Sequence, residues 1–200
     1  MTALWIVIGV AVLVVGWGIM TYNRLVALRT QVANGWAQID VQLKRRYDLI
    51  PNLVESVKGY MGHEQDTLRQ VIEARNKAVA ANPGGSPGTA PATGATAATI
   101  AAETALTASL GRMFALAEAY PDLKANQNVT QLMEELSSTE NKIGFARQYY
   151  NDTATNLNTA VQSFPGNLIA GQFGFQNAEL WRVSETERAT VETAPKVSLR

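Results

Sequence analysis

The first twenty-two residues constrain this chain more than any other segment. Ala3 to Met20 is unbroken apolar sequence, and with Thr21 and Tyr22 the uncharged run is 20 residues long. An α-helix of that length is about 30 Å long, the thickness of the hydrocarbon core of a bilayer. Trp17 and Tyr22 lie near one end, where amphipathic rings prefer the interface. The sequence therefore predicts a transmembrane anchor at residues 1–22.

A cleaved signal peptide is the main alternative to an anchor. It would need a basic first segment, a shorter apolar run and a small-residue cleavage site before Arg24, and the sequence has none of these. Arg24 and Arg29, followed by the basic residues 44–46, lie on the C-terminal side of the run. The positive-inside rule therefore predicts a cytoplasmic domain and a short outer N-terminus, with a periplasmic domain as the alternative.

Composition excludes several classes of protein. The chain has 17 basic and 17 acidic residues and a net charge of zero, so it lacks the basic surplus of a general nucleic-acid binder. It contains no cysteine, which excludes disulfides, Cys-ligated zinc and a lipid-modified cysteine.

Helical periodicity continues after the anchor. Apolar residues recur at steps of three and four up to Ile50, and Pro51 predicts an end or kink where the next helix begins. Residues 82–99 are uncharged and rich in Gly, Pro, Ala, Thr and Ser, which predicts a flexible loop. A third helix is predicted over about 100–119, before Pro121.

A heptad pattern marks the fourth helix. Its large positions are Val129, Leu136, Ile143, Tyr150, Leu157 and Phe164, with mostly small residues between them. Asn126 or Asn128 supplies the N-cap, and Pro165-Gly166 ends the helix. We interpret the seam as the core of an antiparallel bundle, with an intermolecular coiled coil as the alternative.

The predicted fold is all-α, with a single N-terminal transmembrane helix followed by an antiparallel, up-and-down bundle of long helices. The bundle covers residues 23–165, and residues 166–200 form an apolar, glycine-rich segment and a polar tail. In that segment, Leu168, Ile169, Phe173 and Phe175 could dock on the bundle, on a neighbouring molecule or at the membrane. Gly9 and Gly16 share one face of the anchor and are a weak signal for helix packing in the membrane.

Catalytic motifs are missing from the sequence. His63 is the one histidine, and no serine lies in a G-x-S-x-G elbow. Gly84-Gly85 lacks the lysine of a phosphate-binding loop, and Glu134-Glu135 lacks partners for a metal. We therefore predict no enzyme activity, no cofactor and no metal site.

Two clusters of polar residues lie on the predicted helices outside any catalytic motif. Lys44, Arg45 and Arg46 are interpreted as a solvated helix face, because Asp40 and Asp48 flank Lys44 at four-residue spacing. The second cluster adjoins the heptad seam and comprises Arg147, Asn151 and Asn158. It is either a buried network with one of those aspartates or a set of ordinary exposed residues.

Two blocks carry a resemblance to a known family: residues 41–54, VQLKRRYDLIPNLV, and residues 140–151, ENKIGFARQYYN. With the closing residues 194–199, APKVSL, the chain resembles the LemA family of bacterial membrane proteins. The resemblance implies one membrane span and a cytoplasmic helical bundle at the bacterial inner membrane. The family-motif residues it carries onto this chain, with no catalytic role, are Arg46, Tyr47, Asp48, Pro51, Asn52, Asn141, Arg147, Tyr150, Asn151, Asn158, Phe164 and Pro165.

The resemblance implies no mechanism, since relatives have been linked to membrane organisation, including magnetosome formation, and to envelope stress. Our hypothesis is a membrane-anchored scaffold that self-associates or recruits other membrane proteins. The expected partners are the lipid bilayer, further copies of the chain and other membrane proteins, with no nucleic acid. The alternatives are an enzyme subunit acting on lipid or envelope precursors and a membrane signal sensor.

Overall fold

Helix α1, Thr2–Lys58, runs from the apolar N-terminus into the bundle without a break. The computed structural model describes residues 2–62, 64–82 and 95–182, and the side chain of Lys124 is not among those described. His63, most of the predicted loop and the closing residues 194–199 lie outside this part of the chain. The apolar stretch of α1 has a mean hydropathy of 2.5 and buries none of its residues inside the molecule. By length and composition, α1 is a candidate membrane span.

Of the end or kink predicted at Pro51, the helix end is wrong, because α1 continues through this proline to Lys58 and no new helix begins there. A proline in a helix leaves the carbonyl four residues earlier without its N–H donor. Here that carbonyl belongs to Tyr47, and the Arg75 side chain donates to it from Nε at 3.2 Å. The replacement donor keeps the carbonyl satisfied, and the chain leaves the helix only at Gly59.

Five further helices follow among the described residues, and no strand is found there. They are α2, Gln65–Ala81; α3, Ala97–Ala117; α4, Pro121–Ala125; α5, Gln127–Gln162; and α6, Gly166–Gln172. The α3 helix begins inside the predicted loop, because the Thr96 hydroxyl caps it by accepting from the Thr99 N–H. The α5 helix is capped by Asn126, whose side chain accepts from two backbone N–H groups.

The helices form the predicted up-and-down bundle, in which α1 packs along α5 and α2 packs along α3. Five of the six heptad residues of α5 are buried in its core, from Val129 to Leu157. The seam is therefore the core of a bundle within one chain. The sixth, Phe164, lies beyond the end of α5 and is 79% exposed, so its assignment to the seam is wrong.

Helices α2 and α3 cover only the half of the α1–α5 pair that lies farther from the apolar end. At this limit, Asp40 of α1 accepts from the side chain of Asn82, which directly follows α2. The Tyr150 hydroxyl of α5 accepts from the N–H of Ala95, which lies just before α3. Over the nearer half, the extended residues 175–182 take their place, and Trp181 is buried there. Gly174, with φ of 71°, adopts the left-handed conformation that turns the chain from α6 into this segment.

Close approach of α1 to α5 requires a glycine at position 35. A Cβ there would lie 3.2 Å from the Tyr150 Cα, a backbone atom that cannot rotate away. We predict that Gly35→Val lowers the free energy of unfolding by about 1–3 kcal/mol through overpacking. Chemical denaturation in detergent measures this. Gly111→Val is the control, because nothing lies within 4 Å of its Cβ position. Equal stabilities of the two variants would contradict the prediction.

Candidate functional site: a buried ion pair and an asparagine clasp

Arg46 forms a buried ion pair at the centre of the bundle. Its side chain is 1% exposed, and Nη2 donates to the carboxylate of Glu103, which is also 1% exposed. Nη1 donates to Glu140 at 2.5 Å and to the Thr107 hydroxyl at 3.0 Å. The guanidinium thus joins α1, α3 and α5, which are distant in sequence. A buried charge held by several partners fixes the register of the helices that provide them.

Tyr47 completes the group by donating its hydroxyl proton to the second oxygen of Glu103. Burial raises the pKa of the Tyr47 hydroxyl, and the nearby Glu103 charge raises it further, so this group stays protonated and remains a donor. Burial also raises the pKa of Glu103, against the opposing effects of Arg46 and Tyr47. The Arg46 Nε is buried without a hydrogen-bond partner among the described residues.

The interpretation of residues 44–46 as a solvated face is therefore wrong for Arg46. Lys44 does pair with Asp40 at 2.8 Å, and Arg45 lies 3.6 Å from Glu135 with about half of its side chain exposed. Because a helix turns by about 100° per residue, Arg46 points to the core while its two neighbours point to solvent. Glu103 was not among the predicted site residues. The sequence feature that could have indicated it is that Glu103 is the sole acidic residue in the alanine-rich α3 helix.

Two asparagines of α5 hold the extended C-terminal segment like a clasp. Asn158 donates to the Ala178 carbonyl at 2.9 Å and accepts from the Ala178 N–H at 2.7 Å. Asn151 makes the same pair of bonds with the backbone of Trp181, at 2.9 and 2.8 Å. The predicted network of these asparagines with Asp40 or Asp48 is therefore wrong, because their partners are backbone groups. We call Asn151, Asn158 and the backbone of residues 178–181 the asparagine clasp.

The spacing of the clasp matches the geometry of its two elements. Seven residues of an α-helix advance about 10.5 Å, and three residues of extended chain advance about 10 Å. Asparagines seven residues apart on α5 can therefore bond two residues that are three apart in a segment that runs antiparallel to the helix. Each side-chain amide satisfies both the N–H and the carbonyl of one residue, Ala178 or Trp181, so these backbone groups are paired where the segment packs on α5.

Aromatic residues pack beneath the clasp. Trp36 contacts Tyr150 at a centroid distance of 5.9 Å and Trp181 at 6.0 Å. The Tyr150 hydroxyl donates to the Glu179 carbonyl at 2.7 Å and accepts from the Ala95 N–H at 3.2 Å. Burial raises the pKa of the Tyr150 hydroxyl, which therefore remains a donor. Trp36 thus packs between α5 and the segment that the clasp holds, while the Arg46–Glu140 pair joins the two blocks of the resemblance.

The other predicted motif residues lie apart from the ion pair and the clasp. Arg147 is half-buried and makes no ion pair with another described residue. A further group is exposed: Asp48, Pro51, Asn52, Asn141 and Pro165. The glycines proposed for packing within the membrane, Gly9 and Gly16, have open space where a Cβ would lie.

Part of the apolar, glycine-rich segment docks on its own chain. Ala170 and Phe175 are buried with Leu25 of α1, and Ile169 is half-buried beside them. Phe173 contacts the Tyr22 ring at a centroid distance of 4.9 Å, but 58% of its surface stays exposed. Leu168 is 61% exposed. Docking on the bundle is thus observed for Ile169 and Phe175, whereas contact of Leu168 and Phe173 with a neighbouring molecule or the membrane stays a prediction.

The comparisons with known proteins agree with the motif blocks. The sequence profile described as LemA family matches residues 35–198. The chain belongs to the LemA family. It is 26% identical over 172 residues to Protein LemA of Metamycoplasma hominis, a match that covers 86% of this chain and 74% of that protein.

Proteins named after the magnetosome are also similar to this LemA-family chain. Magnetosome protein MamQ 2 of Paramagnetospirillum magneticum is 25% identical over 178 residues, covering 82% of this chain and 65% of that protein. Magnetosome protein MamQ of Magnetospirillum gryphiswaldense is 25% identical over 175 residues, covering 80% and 64%. The match thus spans just under two thirds of the length of these magnetosome proteins. These names are not enzyme names.

The ion pair positions helices α1, α3 and α5, and the clasp positions the segment of residues 178–181. In residues 2–62, 64–82 and 95–182, no three acidic or histidine side chains are grouped so that they could hold a metal ion. The polar side chains at the centre of this LemA-family bundle bond to one another, and those of the clasp bond to backbone.

We predict that Glu103→Ala destabilises this LemA-family bundle by about 3–5 kcal/mol, because it leaves the Arg46 charge buried with too few partners. Thermal and chemical unfolding in detergent measures the loss. The matched control is Glu135→Ala, which breaks the half-exposed pair with Arg45 and should cost less than about 1 kcal/mol. Replacing Arg46 and Glu103 together by Met and Leu should recover much of the loss. Similar effects of the two alanine variants would refute a central role for this ion pair.

We predict that Asn158→Ala releases the extended segment and exposes Trp181. Each asparagine of the clasp makes two bonds to backbone, and the loss of both leaves a backbone N–H and carbonyl unpaired. The release is measured as faster amide hydrogen exchange of residues 176–182. A second measurement is a red shift of Trp181 fluorescence in a chain whose other tryptophans are replaced. Asn141→Ala is the control, since it makes the same change on an exposed part of α5. Unchanged exchange in Asn158→Ala would rule out the clasp.

Proposed function

We propose that this LemA-family chain is a membrane-anchored helical scaffold that associates with a second copy of itself at the bacterial cytoplasmic membrane. The contact would form through a face that comprises Val41 of α1 with Phe145 and Tyr149 of α5. We call these three residues the α1–α5 face.

The α1–α5 face is the observation that carries the proposal. Val41 is 62% exposed, Phe145 is 74% exposed and Tyr149 is 43% exposed. They border a groove of about 400 Å³ between the two helices. Gln42 also lines this groove, and its Oε1 is buried without a hydrogen-bond partner among the described residues. Apolar side chains grouped on a folded surface are typical of sites of protein association.

A second copy of the chain suits this face because α1 sets the distance of the face from the membrane. The same helix carries the candidate membrane span and Val41, so every copy in one membrane presents its face at the same height. Two copies with parallel anchors can then meet about a twofold axis along the membrane normal, which is the commonest symmetry of homodimers. Confinement to a membrane also raises the effective concentration of each copy for the other.

The location in the proposal rests on the flanking charges and on the family. Arg24 and Arg29 follow the apolar run closely, which favours a bundle on the cytoplasmic side. The similar proteins named after the magnetosome support a role in the organisation of membranes rather than in a chemical reaction.

Thiol cross-linking tests the proposal directly, because the chain has no cysteine of its own. Gln38→Cys places one thiol beside the α1–α5 face, and Lys77→Cys places one on an exposed part of α2. We predict that a short bis-thiol reagent cross-links the Gln38→Cys protein into dimers in native membranes. Adding Phe145→Ser should reduce the dimer yield by about tenfold, because burial of a phenylalanine side chain is worth more than one factor of ten in affinity.

Two controls make the result specific. Val79→Ser removes an apolar side chain that is 40% exposed on α2 and should leave the dimer yield of Gln38→Cys unchanged. In intact spheroplasts a membrane-impermeant reagent should fail where a permeant one succeeds, which tests the cytoplasmic location separately. Equal cross-linking at positions 38 and 77, or none at either, would count against association through this face.

A further inference from the structure

The position of α6 along α1 is fixed by a series of contacts. The Ile169 side chain lies 3.9 Å from the place where a Cβ of Gly18 would stand, and the corresponding position at Gly166 lies 3.9 Å from the Thr21 side chain. Farther along, Phe175 packs on the Tyr22 ring at 5.7 Å and under the Arg29 guanidinium at 5.1 Å. These contacts place α6 and the residues after it beside α1 residues 18–29.

Residues 18–29 straddle the point where the apolar run ends. If residues 3–22 cross the hydrocarbon core, the boundary between acyl chains and headgroups lies beside α6. The half-buried and buried side of α6 faces α1, whereas Phe164, Leu168 and Phe173 are 79%, 61% and 58% exposed. Large apolar side chains held at this height would contact acyl chains rather than water. They continue the apolar surface of α1 instead of forming an isolated patch.

A cleft of about 500 Å³ opens at the same height, between α1 and the end of α5. Trp17 and Phe164 form part of its wall, and Thr21, Thr159 and Ser163 add hydroxyl groups. Arg24 is the one charged side chain among the described residues that line it. Its guanidinium makes no ion pair with another described residue, whereas Arg29 one turn farther on stacks on Phe175.

We propose that this cleft binds the headgroup of an anionic phospholipid, with Arg24 on the phosphate and with Phe164, Leu168 and Phe173 inserted among the surrounding acyl chains. The guanidinium suits a phosphodiester because its donors match two phosphate oxygens at once. The Thr21 hydroxyl at the cleft wall provides a further donor. A membrane lipid is the ligand we commit to because the cleft opens beside the candidate span, where lipid concentration is highest.

The inference rests on the membrane span of the proposed function but not on self-association. Cross-linking at position 38 reports association, whereas the measurements below report lipid contact in single copies held in nanodiscs. Either proposal can therefore fail while the other holds.

Depth-dependent quenching tests the inserted side chains. A fluorophore is attached to Leu168→Cys in the full chain, reconstituted into nanodiscs whose lipids carry a nitroxide near the top of the acyl chain. We expect quenching several-fold stronger than for the same label at Val79→Cys, an exposed apolar position on α2. Equal quenching at the two positions would overturn the insertion of α6.

Lipid selectivity tests the cleft. The full chain is reconstituted in equal parts of phosphatidylglycerol and phosphatidylcholine, and native mass spectrometry measures which lipid stays bound. We expect enrichment of phosphatidylglycerol, reduced about tenfold by Arg24→Gln, since a charge-assisted hydrogen bond to phosphate is worth about one factor of ten or more in affinity. Arg24→Lys keeps the charge but cannot bond two phosphate oxygens at once, so it should retain only part of the enrichment. Lys58→Gln, the same loss of charge at the far end of α1, should leave it unchanged.

Two outcomes would overturn the headgroup site. One is an equal loss of enrichment in Arg24→Gln and Lys58→Gln, which would indicate a general effect of net charge. The other is displacement of phosphatidylglycerol by millimolar inorganic phosphate, which would indicate a site for soluble anions. The quenching of Leu168→Cys measured in Arg24→Gln shows whether α6 still docks, so a misfolded variant is recognised.

Discussion

The packing of α1 against α5 is the contact on which the rest of the structure depends. At Gly35 the backbones of the two helices come so close that a side-chain carbon would meet the Tyr150 Cα at 3.2 Å. Because α1 carries both the apolar run and the bundle, an antiparallel partner packed this closely must return toward the membrane end of the molecule. The end of α5 therefore reaches Trp17 and Thr21, where it helps to form the cleft.

The two halves of the α1–α5 pair are stabilised differently, for a reason of length. Helices α2 and α3 are 17 and 21 residues long, too short to accompany the 36 residues of α5. Where four helices are present, Arg46 can reach carboxylates on two of them, and the buried charge is balanced. Where only two remain, the segment of residues 175–182 covers them, and its backbone groups, which lack a helix or sheet partner, bond to side-chain amides. The ion pair thus balances the buried charge in the half with four helices, and the clasp pairs backbone groups in the other half.

Sequence reasoning succeeded where the signal is local and periodic, and it failed where a partner is distant. The heptad of α5 predicts its buried face, since each position depends on the helix repeat alone. Pro51 was assigned to a helix end because the compensating donor, Arg75, is 24 residues away. The clasp was similarly hidden: the spacing of Asn151 and Asn158 marks one face, but their partners are backbone atoms, which have no sequence signature. Glu103 was missed because its pairing with Arg46 requires the α1–α3 geometry.

A continuous α1 also determines how far from the membrane each surface lies. Val41 is 19 residues beyond Tyr22, so the α1–α5 face is centred about 28 Å above the end of the apolar run. The ion pair beneath this part of α1 and the packing at Gly35 hold the helix against α5, so that height cannot vary much from copy to copy. For two copies anchored in one membrane, as proposed above, a fixed height would align the two faces and so reduce the orientational entropy lost on association. A rigid interior would therefore favour the proposed contact between two copies of the chain in one membrane.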